Sequence, residues 1–175
     1  MRQATLFFGM LLVTSVALGQ GRTVHYSLSK KNAIAAIRKL RGRITFDKTV
    51  PGHPVVAIDL LGTKTTDANL IQLKNFPHLQ RLILCGTKVS GAGMMHLKGL
   101  HKLRTLNLAQ TNITDNGLAH LKVLVELRTL NLVSTKCSNH GLAHLNALVK
   151  LNDLSFANTQ IGDAGLAHLE GLTAR

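Results

Sequence analysis

One phrase recurs through most of this chain. From Val55 to Ala174 the sequence repeats every 24 residues without a gap, as Val55–His78, Leu79–Lys102, Leu103–Glu126, Leu127–Lys150 and Leu151–Ala174. The shared frame is L-x-x-L-x-L-x-x-T-x-[IV]-[ST]-D-x-G-L-x-x-L-x-x-L. A unit this short cannot bury an apolar face alone, so an in-phase repeat forces like units to stack and share one continuous core. Each unit is numbered from position 1 to position 24.

The fixed letters predict the parts of the unit. Positions 3 to 7, "TLNLA" at Thr105 and "TLNLV" at Thr129, alternate as a short strand does, with positions 4 and 6 inward and 3, 5 and 7 outward. Position 9 is Thr in all five units, where its hydroxyl can bond backbone that has left the sheet. Ser or Thr at position 12 and Asp at position 13 are helix N-cap types. Leu at positions 16, 19 and 22 then gives a helical stripe facing the strands. Gly at position 15 has two readings, close approach of neighbouring helices or a special backbone angle; Asn69 in the first unit tolerates the latter.

The stretch "LRTLNLAQTNITDNGLAHL" and its in-phase copies resemble the leucine-rich repeat family over about two thirds of the chain. Thr in place of the more usual Asn, and the "TD-x-GL" entry into the helix, look like the cysteine-containing or ribonuclease-inhibitor-like subtype. They are also similar to short secreted leucine-rich repeat proteins of bacteria. The resemblance implies an α/β fold: a right-handed solenoid of five 24-residue strand–turn–helix coils with an N-terminal helical cap.

The segments around the repeats read differently. Arg2, the apolar run "TLFFGMLLVTSVAL" and the small residues of "ALG" make residues 1–19 an export signal, cut after Gly19. Residues 20–54 form a basic N-terminal cap. In it, "SKKNAIAAIRKLRG" is a helix capped by Ser29, striped by Ile34, Ile37 and Leu40 and ended by Gly42. "RITFDKTV" follows as a strand, and Pro51 to Pro54 is a turn. Residues 55–175 are the repeats. The fifth unit has no divergent polar cap, so Phe156, Ile161, Leu166 and Leu169 lack cover on one side. That predicts weak self-association through the C-terminal coil, or a truncated form of a longer repeat protein.

Charge and chemistry narrow the function. A net charge of +13, from 21 Lys and Arg against 8 Asp and Glu, favours anionic partners or surfaces. The basic cap residues, Arg38, Lys39 and Arg41 among them, are either a docking patch for anionic polymer or lipid headgroups or a solvated face. Cys85 and Cys137 lie two coils apart, about 10 Å along the stack, so they are read as free thiols, Cys137 in the core and Cys85 near the surface. No nucleophile elbow, P-loop, H-E-x-x-H or C-x-x-C occurs. His96, His120, His144 and His168 share position 18, one per unit, a spacing that suits a helix flank better than a metal centre. The expectation is a protein that is not an enzyme, with no cofactor and no metal site.

The letters left free are the outward strand positions. Leucine-rich repeat proteins typically bind partners there, on the concave face. Here that face is expected to carry an Arg81–Arg104–Arg128 band beside Asn107 and Asn131, ending in Asp153. Arg forks suit carboxylate, phosphate or sulfate. The resulting reading is an exported, secreted or periplasmic, binding module for protein or anionic polymer, with no specific nucleic acid and no transmembrane segment once the leader is cut. The subtype resemblance implies one alternative, a substrate-recognition subunit of a ubiquitin ligase, which needs an F-box that residues 20–54 do not supply. A metal protein built on the His ladder is a second.

Overall fold

The computed structural model describes residues 14–18, 22–26 and 28–169. Residues 1–13 and the expected cut after Gly19 lie outside them. Strands β1 (Thr14–Leu18) and β2 (Arg22–Tyr26) pair antiparallel. Helix α1 (Leu28–Lys39) and strand β3 (Arg43–Phe46) follow. Then come β4 (Val55–Asp59), β5 (Arg81–Ile83), β6 (Thr105–Asn107), β7 (Thr129–Asn131) and β8 (Asp153–Ser155). These last five pair in parallel, with Ala57, Arg81, Thr105, Thr129 and Asp153 in one register. The register step is therefore the repeat length, and the molecule is a solenoid.

Each strand after β4 is shorter than its alternating letters predict. In β6 and β7 the position-5 side chain caps the turn, Asn107 Oδ1 accepting from the Ala109 amide at 3.0 Å and Asn131 Oδ1 from the Val133 amide at 2.9 Å, while β5 and β8 end at the same position with Ile83 and Ser155. Position 8 is left-handed in every coil, with φ of 63° at Gly62, 67° at Gly86, 55° at Gln110, 57° at Ser134 and 54° at Asn158. Threonine closes the turn. The hydroxyls of Thr63, Thr87, Thr111, Thr135 and Thr159 each donate to the carbonyl three residues back, at 2.5–2.8 Å.

The return path is mostly not α-helix. One α turn, α2 (Asp67–Leu70), α3 (Asp115–Leu118), α4 (Asn139–Leu142) or α5 (Asp163–Leu166), runs directly into a 3₁₀ turn. The second coil is 3₁₀ throughout Gly91–Leu97. The leucine spacing explains this. L-x-x-L-x-x-L has a period of three, which is the 3₁₀ period, so positions 16, 19 and 22 fall on one line and all face the strands. Leu118, Leu121 and Leu124 are fully buried, as are Leu106 and Leu108 opposite them. Cys137 occupies the same core row as Val89 and Ile113, and all three are buried.

Neighbouring coils are locked by a side-chain bracket. The expected N-cap carboxylate at position 13 reaches forward into the next coil instead. Asp67 accepts from the amide and hydroxyl of Ser90 at 2.7 and 2.6 Å, and Asp115 does the same with Ser138 at 2.7 and 2.6 Å. Asn139 Oδ1 accepts from the Gly162 amide at 2.8 Å. Glycine at position 15 makes room for it: a Cβ on Gly93 or Gly141 would lie 2.3 Å from the carboxylate oxygen of Asp67 or Asp115. Close approach, not backbone angle, is thus the reason for this glycine. The first coil has no bracket behind it, so position 15 can be Asn69, whose Oδ1 accepts from the Thr66 amide at 2.9 Å.

The cap closes the N-terminal end. β3 pairs antiparallel with β4, and α1 turns Ala33, Ile34 and Ile37 into the core. Ser29 does not cap α1; it lies inside the first turn and donates to Asn75 Oδ1 of the first coil at 2.5 Å. The helix ends on Arg41, at φ 64°, while the Gly42 amide donates back to the Ile37 carbonyl at 3.0 Å. Gly42 permits contact, since a Cβ there would lie 2.7 Å from Leu60.

Candidate functional site

The parallel strands present two outward rows. Position 3 carries Ala57, Arg81, Thr105, Thr129 and Asp153, and position 5 carries Asp59, Ile83, Asn107, Asn131 and Ser155. The alternation that buries Leu82, Leu106 and Leu130 sends these side chains to the opposite face. Arg81 is exposed near one end of its row and Asp153 at the other, with two half-buried threonines between them. The face is bipolar rather than basic.

The register separates the three arginines. Arg81 stands at position 3, beside Thr105, whereas Arg104 and Arg128 stand at position 2, so the expected band is not one row. Arg104 and Arg128 belong to a charged rim. There, Glu126 accepts from Lys150 Nζ at 2.5 Å, and His78 Nδ1 lies 3.0 Å from Lys102 Nζ. The Lys150 hydrogen bond holds the Glu126 carboxyl below the usual carboxylate range, with the charges of Lys150, Arg104 and Arg128 adding to the effect. A small recess of about 290 Å³ opens between Gln80, Lys102, Arg104 and Glu126. The rim arginines therefore lie in the field of Glu126, whose ion pair is with Lys150.

Asn107 and Asn131 are only half free. Their carboxamide oxygens cap the turns, and the NH₂ groups remain to donate to a ligand. The two cysteines are free thiols. Cys137 is buried, and that burial pushes its thiol up; Cys85 is half-buried at position 7, on the concave side. Among the described residues no group of three or more His, Cys, Asp or Glu comes together to hold a metal ion. The position-18 histidines lie on the convex layer, one per coil, within or next to the 3₁₀ turns.

The left-handed position 8 and the bracket to position 15 were not read from the sequence. The first had a faint signal, since Gly, Gly, Gln, Ser and Asn include three residues that favour that conformation. The second was written in the co-occurrence of Asp at position 13 and Gly at position 15, which a unit-by-unit reading assigns to separate tasks.

No family model and no curated protein matches the chain. Solved structures do. Internalin C2 of Listeria monocytogenes is 26% identical, with 68% of this chain and 58% of that one covered and a TM-score of 0.54. The internalin InlF of the same species is 19% identical over 82% of this chain and 46% of its own, with a TM-score of 0.51. The leucine-rich repeat ectodomain of the Arabidopsis thaliana receptor kinase SOBIR1 is 18% identical over 77% of this chain and 81% of that one, at a TM-score of 0.52. The chain thus spans about half the length of the two internalins. Repeat and fold together define the class: this is a leucine-rich repeat protein. No helix among the described residues is long and apolar enough to cross a membrane.

Proposed function

We propose that this leucine-rich repeat module binds a protein partner through its concave face, without catalysing a reaction, after export from the cytoplasm. The observation that carries the reading is the pair of outward rows on an in-register parallel sheet. Arg81, Thr105, Thr129 and Asp153 are spaced one per strand, about 4.8 Å apart, and point away from the core. A segment of partner chain laid along the row would meet a guanidinium at one end, hydroxyls in the middle and a carboxylate at the other. The amides of Asn107 and Asn131 would donate from the adjoining row. Half-exposed Ile83 and Val133 add apolar contact. The leader-like residues 1–19 and the likeness to a receptor ectodomain support export.

The bipolar row also sets the test. Peptides selected from a displayed library against the whole protein should bind with affinity lost in Arg81→Glu and in Asp153→Lys, while Lys122→Gln on the opposite face leaves it unchanged. Selected peptides that bind both concave variants as tightly as the parent would overturn the reading.

A further inference from the structure

The surplus positive charge does not sit on the concave face. Asp59 and Asp153 lie there, Glu126 lies among the rim cations, and Asp67 and Asp115 are spent in brackets. Asp163 shares the bracket row, and Asp47 is held in the cap turn by the Thr49 amide at 2.9 Å. Beyond the bracket row, the convex layer has no carboxylate among the described residues. It carries Lys74, Lys98 and Lys122, all at position 20 of successive coils and all exposed. None of the three makes an ion pair or hydrogen bond with a described residue. At the N-terminal end α1 packs beside Ile71–Asn75, and its sequence LSKKNAIAAIRK is also without acid. Leu28, Ser29 and Asn32 of α1 line one recess with Ile71 and Lys74, so the acid-free surface continues onto the start of α1, whereas Lys39 at the far end of the helix lies beside Leu61–Lys64.

We propose that this surface, running from α1 across the convex layer, is a docking track for a linear anionic polysaccharide. The lysines line up along the solenoid axis, one in each of the first three coils, before Asn146 takes position 20 in the fourth coil and Glu170 in the fifth. A chain laid across those three coils meets a fresh ammonium at each and no carboxylate of the layer among the described residues. They are point charges on flexible stems, suited to anions of any geometry rather than to a planar bidentate group. No exposed Trp, Tyr or Phe, the broad rings on which bases of a single-stranded nucleic acid stack, lies on the layer among the described residues; Phe76 is buried in the core, and the rings at its surface are the histidines of position 18. Exposed Ile71 and Met95 beside Lys74 and Lys98 supply apolar contact for the sugar rings.

Two triple variants of equal charge decide the matter. Lys74→Gln/Lys98→Gln/Lys122→Gln removes the track. Lys64→Gln/Lys88→Gln/Lys136→Gln removes the same charge from position 10, which shares its turn with Asp67 and Asp115. Binding of fluorescein-labelled heparin, measured by anisotropy across a salt series, should weaken about tenfold in the first variant, with the log–log salt slope reduced by about 2. The second variant should change both much less, and circular dichroism should show both folded. Equal losses in the two variants would mean that net charge alone holds the polymer, and overturn the track. So would binding to phosphatidylserine vesicles or to a short DNA duplex, through the same three lysines, at salt where heparin does not bind.

Discussion

The two ends of the solenoid carry similar letters and have different fates. In the first coil, Val55, Ile58, Leu70 and Leu73 are as buried as any interior residue, because β3 and α1 cover them. In the last described coil, Leu154, Phe156, Ile161 and Leu169 stay half-buried, and Leu166 is 42% exposed where Leu118 and Leu142 are 0%. Among the described residues β8 pairs only with β7, and Asp163 brackets none. Burial in a stacked fold is thus a property of neighbours, not of letters: an identical "GLAHL" is core in one coil and surface in another.

The sharpest way to test that contrast is to cut the same leucine in both places. Leu142→Ala should cost about 2–5 kcal/mol, as truncation of fully buried leucines does, measured by urea unfolding. Leu166→Ala should cost about 1 kcal/mol, since much of its side chain already meets solvent. Similar losses at both sites would show that the last coil is as well packed as the fourth.

The bracket offers a second contrast. Gly141→Ala improves helix propensity by about 1 kcal/mol, yet its Cβ would meet Asp115 Oδ1 at 2.3 Å. The clash should dominate, giving a net loss of about 1–3 kcal/mol, and Asp115→Ala in the same chain should recover part of it. Asp115→Ala alone should cost about 1–2 kcal/mol by stripping two hydrogen bonds from Ser138. Asp163→Ala, the same letter with no following bracket to make among the described residues, should fall within about 0.5 kcal/mol. A bracket worth nothing would leave the two Asp variants indistinguishable.

These contrasts also show what the sequence could and could not reveal. Positions 4, 6, 16, 19 and 22 were legible because burial repeats the period directly. The threonine turn was legible too, since an invariant hydroxyl after a strand has few uses other than backbone. The helical return path was legible as well, but its division into one α turn and a 3₁₀ turn was not, because a helical stripe is the commoner meaning of spaced leucines. The arginine band dissolved for a different reason. Position 2 and position 3 are adjacent letters, but the register puts Arg104 and Arg128 on the rim with Glu126 and leaves Arg81 in the concave row. Which charge pairs with a carboxylate depends on contacts between coils, and no single unit records those.

The smallest expected effect separates scaffold from site at position 5. Asn131→Ala removes the oxygen that accepts from the Val133 amide and should cost about 0.5–1.5 kcal/mol, a typical net hydrogen bond. Ser155→Ala, in the same row of the last described coil, removes a hydroxyl that bonds no described residue and should fall within about 0.5 kcal/mol. A loss of ligand affinity in Asn131→Ala would therefore be ambiguous, since the turn and the ligand contact fail together. Asn131→Asp resolves it: a carboxylate oxygen can still accept from Val133, while the NH₂ donor is gone and a negative charge faces the row. Stability by urea unfolding should return to within about 0.5 kcal/mol of the parent, whereas affinity for a concave-face peptide should drop. If Asn131→Asp keeps both stability and affinity, the carboxamide serves only the turn, and recognition rests on Arg81, the threonines and Asp153.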